Sequence, residues 1–100
     1  MKNLNLLGLA KASGNIVTGS KIFDDFGKIK YLFIANDASE KSKQRLINKC
    51  YYYKTPYTLK YSNQELNKAI GSTNYMSIGI INNDFASKFK KMDEGGHDGK

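Results

Sequence analysis

The ten residues Tyr31-Leu32-Phe33-Ile34-Ala35-Asn36-Asp37-Ala38-Ser39-Glu40 decide the architecture. The first five are an unbroken apolar run with aromatic and β-branched members, the pattern of a central strand covered on both faces. The next five change character at once. Asp37 with Glu40 has the spacing of a capping box, with Ser39 a competing cap, so a helix starts here and runs through Leu46, Ile47 and Cys50. Strand and helix in direct succession are the repeating unit of a layered α/β domain.

The flanking segments extend the same alternation. Upstream, Leu4, Leu6, Leu7, Leu9 and Ala10 fit a short amphipathic helix stopped by Ser13-Gly14, and Ile16-Val17-Thr18 is a β-branched strand. Gly19-Ser20 breaks that strand, and Ser20 is placed to cap a helix of about two turns that buries Ile22, Phe23 and Phe26 and stops at Gly27. Downstream, Pro56 stands at the entry to the strand Tyr57 to Tyr61. Ser62-Asn63-Gln64-Glu65 is a capping box ahead of Leu66, Ala69 and Ile70, and Gly71 ends that helix. Met76 to Ile81 is the last strand. Asn83-Asp84 caps a final helix with Phe85, Ala86 and Phe89 inward and Lys88, Lys90 and Lys91 outward. The expected fold is an α/β domain, a three-layer α-β-α sandwich around a small mixed four-stranded sheet, spanning residues 1–92, with a flexible acidic, Gly-rich tail over 93–100.

Composition narrows the function. One hundred residues allow one domain with a real core, and the single Cys excludes a disulfide scaffold. No apolar stretch approaches the roughly 20 residues of a membrane span, and the short run Leu6 to Ala10 makes a poor secretory signal, so with its free Cys the chain is expected in a reducing cytoplasm, away from membranes; a monomer is the working expectation, although the sequence does not fix the oligomeric state. The formal charge is +7; removing the three acids and one base of the tail leaves +9 on the body. Such a field favours polyanions. Fifteen of the sixteen bases are Lys in a chain also rich in Asn, Ile and Tyr, a composition that an AT-rich genome produces without any partner.

Catalytic constellations are missing. His97 lies in a Gly-rich tail that cannot hold a base rigidly, and it is a poor metal ligand without fixed companions. Cys50 falls on an apolar helix face as a small hydrophobe. Asp24 and Asp25, adjacent on a helix, diverge by about 100°. The segment Gly14 to Lys21 has the glycine spacing of a phosphate loop, but Ser20 precedes Lys21 where the nucleotide motif needs the reverse order, so no cofactor is expected. What the turn does offer is a helix start with Lys21 in the first turn, where a cation is electrostatically out of place unless an anion docks. Lys21 pointing idly to solvent is the plain alternative. Lys11, Lys28 and Lys30 are further candidates for phosphate contacts, or ordinary solvated lysines.

Taken together, Ser13-Gly14, Gly19-Ser20-Lys21, Phe33-Ile34-Ala35-Asn36-Asp37 and Glu65-Leu66 with Ala69-Ile70-Gly71 resemble the ribosomal-protein L-seven-Ae family. Leu7-Gly8-Leu9-Ala10, Asp37-Ala38-Ser39 and Lys49-Cys50-Tyr51-Tyr52-Tyr53 are most similar to its small bacterial members, and the likeness spans residues 4–91. The resemblance implies a non-enzymatic, ribosome-associated protein that binds kink-turn or ribosomal RNA through three loops at one end of the sheet. Gly19, Ser20 and Lys21 would enter the widened groove, Asn36 and Asp37 form the second loop, and Ile70, Gly71, Ser72, Thr73, Asn74, Tyr75 and Met76 would cover a flipped-out nucleotide. Lys28 would add a phosphate contact. The chain departs from the family in two places: Ile22 stands where Glu or Gln reads guanine edges, and the interval from Gly19 to Gly27 is about one turn short. The other reading is a protein-interaction module of the same fold, its exposed Tyr and Lys meeting a ribosomal or transcription–translation protein.

Overall fold

The computed structural model describes residues 2–72 and 74–98, with side chains from 4 to 91. Its elements are α1 (Lys2–Ala12), β1 (Ile16–Thr18), α2 (Lys21–Asp24), a 3-10 turn (Phe26–Lys28), β2 (Tyr31–Ile34), α3 (Glu40–Tyr53), β3 (Tyr57–Thr58), α4 (Asn63–Ile70), β4 (Ser77–Ile80) and α5 (Asn83–Asp98). The sheet order is β1-β4-β2-β3. β4 is antiparallel to both β1 and β2, whereas β3 runs parallel to β2. This is the expected mixed four-stranded sheet.

The period-two alternation of β2 builds the three layers. Tyr31, Phe33 and Ala35 face one core, completed by Leu7 and Ala10 of α1, Leu66 and Ile70 of α4, and Ala86 and Phe89 of α5. Phe89 meets Phe33 edge-on at 4.9 Å between ring centroids. Leu32 and Ile34 face the second core, with Ile22 of α2, Phe26, Ile29, and Leu46 and Cys50 of α3. Every residue of β2 and β4 is buried, as their position between β1 and β3 requires. Gly79 lets the layers close: a Cβ there would stand 2.8 Å from Ile29 Cδ1 and 3.0 Å from Val17 Cγ2.

Five local expectations need correction. The strand expected over Tyr57 to Tyr61 ends at Thr58. Ser20 does not cap α2; it is itself helical, and its side chain makes no cap bond. Ser39, not Asp37, caps α3, its hydroxyl accepting from Ser42 N–H, because Asp37 Oδ1 is engaged by Asn63 N–H, 26 residues away. Asn82 rather than Asn83 caps α5, accepting from Phe85 N–H. The second helix is one turn of α-helix and one of 3-10, with Asp25 between them out of helical conformation. The expected box at Ser62 and Glu65 is present in both directions. The backbone of α5 continues as helix through Asp98, past Asp93 where the sequence marks a tail; residues 99 and 100 lie outside the described residues.

Candidate functional site

The strand register brings three loops to one end of the sheet. Thr18, the last residue of β1, is opposite Ile78, and Ile34, the last of β2, is opposite Ser77. The exits of β1 and β2 therefore flank the entry to β4.

The first loop turns at Gly19, whose φ of +66° strains any residue with a Cβ. Its Cα faces the third loop closely: a Cβ there would meet the Tyr75 ring at 3.5 Å. Ser20 and Lys21 follow, both exposed. The helix dipole invoked for this turn is not available. α2 has four residues, and the N–H groups of Ile22 and Phe23 already donate to the carbonyls of Gly19 and Ser20. Lys21 contributes its charge alone.

The second loop, Asn36 and Asp37, is exposed but anchored. Asn36 N–H donates to Tyr61 O, and the Asn36 carbonyl accepts from Lys43 Nζ at 3.1 Å. Asp37 spends one carboxylate oxygen on Asn63 N–H at 2.9 Å.

The third loop is held by two asparagines of α4. Asn67, 3% exposed, donates to the carbonyls of Asn63 (2.7 Å) and Tyr75 (2.8 Å) and accepts from Tyr75 N–H (2.8 Å). Asn63 Nδ2 adds a second donation to Tyr75 O at 2.9 Å and lies 3.4 Å from Met76 Sδ. Tyr75 and Met76 are thereby fixed in place while 36% and 40% exposed. Ile70, expected among the loop's apolar surface, instead belongs to the core at 3% exposure, since it closes the inward face of α4. Gly71 adopts the left-handed conformation that ends α4, and Ser72 N–H donates to Asn67 O. Thr73 lies outside the described residues. Lys28 is not brought to this end: it precedes β2, on the side where Tyr53 of α3 approaches Gly27.

Between the first and third loops lies a cleft of ≈190 Å³ lined by Gly19, Asn74, Tyr75, Met76 and, from the second core layer, Phe23 and Arg45. Arg45 is the chain's one arginine. Its guanidinium carbon stands 4.4 Å from the centroid of the Phe23 ring, a cation–π contact that orients the planar donor fork. The motifs did not point to Arg45, Phe23, Asn63 or Asn67. The available signal was the single Arg among fifteen Lys, a residue type suited to planar anions. The cleft thus joins a cation (Arg45), exposed apolar surface (Tyr75, Met76) and an amide (Asn74), with Lys21 exposed on the adjoining first loop.

Nucleophilic chemistry finds no support here. Burial pushes the Cys50 thiol up to about 12 and keeps it protonated. Among the described residues no group of three or more His, Cys, Asp or Glu is placed to hold a metal ion, and no helix is long and apolar enough to cross a membrane. The side chain of His97 lies outside the described ones.

No family model matches the chain. It is similar to the RNA-binding protein YlxQ of Enterococcus faecium, 38% identical over 97 residues that cover 94% of this chain and 93% of that protein. The RNA-binding protein YlxQ of Bacillus subtilis (strain 168) is 29% identical over 86 residues, 83% of this chain and 86% of the relative. Among solved structures, a protein of unknown function from Bacillus halodurans C superposes with a TM-score of 0.84 at 29% identity, covering 90% of this chain and 94% of that one. The Giardia lamblia 15.5kD RNA binding protein shares the fold, with a TM-score of 0.72 at 20% identity over 92% of this chain and 84% of its own.

Proposed function

The chain belongs to the YlxQ family of RNA-binding proteins, and on that premise we propose that it is a non-enzymatic, cytoplasmic RNA-binding protein, associated with the ribosome, that recognises a kinked RNA helix at the three-loop end of its sheet. The observation that carries this reading is the meeting of the Gly19 corner with the Tyr75–Met76 loop around Arg45. A kinked duplex presents crowded phosphates and an unstacked base together. Lys21 and Arg45 answer the first, and Tyr75 and Met76 the second. Asn74 at the rim of the cleft adds an amide donor and acceptor.

The test is a titration of a fluorescently labelled kink-turn RNA against the same RNA with its G·A pairs replaced by Watson–Crick pairs. The kinked form should bind more tightly at physiological salt. Lys21→Ala should weaken it by about tenfold, the worth of one charge-assisted phosphate contact, and lower the logarithmic salt slope by about 0.7–0.9. Lys90→Ala, on α5, should change neither. Equal losses from the two substitutions would mean diffuse charge attraction and end the proposal of a local site.

A further inference from the structure

The cleft does not end at Arg45. Arg45 also opens a second, shallower surface cleft shared with Asn48, Lys49, Tyr52 and Tyr53. At about 100° per residue, Lys41, Arg45, Asn48, Lys49 and Tyr52 fall on one face of α3. All five are exposed. From Glu40 to Lys54 the chain has five bases and one acid, and that acid, Glu40, is already paired with Lys43 at 3.0 Å. Among the described residues, Arg45 and Lys49 have no ion pair.

The aromatic end of this face is built, not merely exposed. Tyr53 stacks on buried Phe26, with ring centroids 5.3 Å apart and 22° between planes. Tyr52 meets Tyr53 edge-to-face at 4.9 Å and 79°. Tyr52 is thereby braced through Tyr53 to the core while it stays 79% exposed. An exposed ring whose position is fixed stacks a base at little entropic cost. Basic side chains leading to such a ring are the two components of a single-strand binding track. From Arg45 to Tyr52 the helix rises about 10 Å, the length of roughly three stacked nucleotides.

We propose that the outer face of α3, from Arg45 through Lys49 to Tyr52, binds a single-stranded RNA segment, with its phosphates along the cations and a base on the Tyr52 ring. The proposal rests on the reading of the chain as an RNA-binding protein, and it extends the contact surface beyond the three loops. The net positive charge of the face favours a polyanion over a protein partner, which would need acidic groups to match it.

Two probes separate this surface from the loop site: a labelled ten-nucleotide oligouridine and a blunt-ended kink-turn RNA. Tyr52→Ala should weaken oligouridine binding about tenfold and leave the kink-turn affinity within about twofold. Tyr51→Ala is the internal control, since Tyr51 is 71% exposed but turned about 100° away from Tyr52, and it should leave both unchanged. Lys49→Ala should lower the oligouridine salt slope by about 0.7. Both aromatic variants should stay folded and melt cooperatively within about 8 °C of the parent protein, each having lost one surface contact worth about 1 kcal/mol. No oligouridine binding by the parent protein, or equal effects of Tyr51→Ala and Tyr52→Ala, overturns the α3 track while leaving the loop site standing. Failure of the loop site is seen separately, as a kink-turn affinity indifferent to Lys21→Ala.

Discussion

Asn67 is the residue on which the third loop most depends, and its removal has a calculable cost. It is 3% exposed and makes three hydrogen bonds of 2.7–2.8 Å, two of them to the main chain of Tyr75 across the turn that follows α4. At about 1 kcal/mol net per bond, Asn67→Ala should destabilise the domain by about 3 kcal/mol, a large part of the 5–15 kcal/mol typical of a domain. The melting temperature should fall by about 12–24 °C. Asn67→Asp keeps the shape and refines the test. One oxygen still accepts from Tyr75 N–H, but the other replaces the amide that donates to the carbonyls of Asn63 and Tyr75. The fold therefore holds the new carboxyl protonated, and its pKa lies above the unfolded value of about 3.9. A group whose pKa is raised on folding supports the fold below its unfolded pKa and loses that support as pH rises. The stability gap to the parent protein should thus be about 1 kcal/mol near pH 4, since a single O–H replaces only one of the two amide donations, and widen by up to about 1.4 kcal/mol per pH unit above it. It levels off near the Asn67→Ala cost, where opening the loop becomes cheaper than holding the proton. Urea unfolding followed by circular dichroism between about pH 4 and pH 7 measures both effects, and taking differences cancels the titration of every other group. An Asn67→Ala protein within about 0.5 kcal/mol of the parent, or an Asn67→Asp gap that is flat with pH, would show that the loop is not held by this side chain.

Two further predictions concern the cores. Cys50 is 2% exposed with its thiol pushed from 9.0 to about 12 by burial, so between about pH 9 and pH 12 its share of stability should fall with a slope approaching 1.4 kcal/mol per unit; Cys50→Ala should remove that slope in alkaline urea titrations, and a thiol reagent at neutral pH should label native protein at least about a thousandfold more slowly than unfolded chain. Gly79→Ala would bring a methyl group to 2.8 Å from Ile29 Cδ1 in a fully buried strand, and overpacking of that kind should cost about 1–3 kcal/mol by thermal or urea unfolding.

What the sequence made legible is what local rules govern. β2 is readable because a strand buried on both faces has no polar position, and α4 because Ser62 and Glu65 cap each other within four residues. The misreadings come either from a partner far along the chain or from a neighbouring turn that resets the backbone. Asp37 looks like a cap until Asn63 claims it from 26 residues away. Ser20 looks like a cap until the turn at Gly19 draws it into the helical region. Asn67 reads as an ordinary polar residue on a short helix, and only the return of the chain at Tyr75 buries it. Of the site, the glycine corner and the third loop were visible as turns. Arg45 was not, because nothing in the spacing of α3 tells which exposed cation lies under the neighbouring loops and against Phe23.

Ile22 sets the character of the proposed recognition. The family resemblance puts a guanine-reading Glu or Gln there, but the side chain at this position is fully buried in the core formed with Leu32 and Leu46. The one-turn α2 fixes that direction, because Asp25 leaves helical geometry before a second turn can rotate another residue toward the loops. A polar substitution at Ile22 would not restore base reading; it would place an amide or carboxylate against Leu32 and Leu46 without a partner. Base-edge specificity at this corner is thus closed off by packing. Apart from the Asn74 amide on the third loop, the groups that remain are cations, apolar surface and loop shape, which position a nucleic acid but carry little base information. On the proposed reading, base changes that preserve the kink are tolerated and those that straighten the duplex are not, because only bent backbone brings phosphates to Lys21 and Arg45 while offering a base to Tyr75 and Met76.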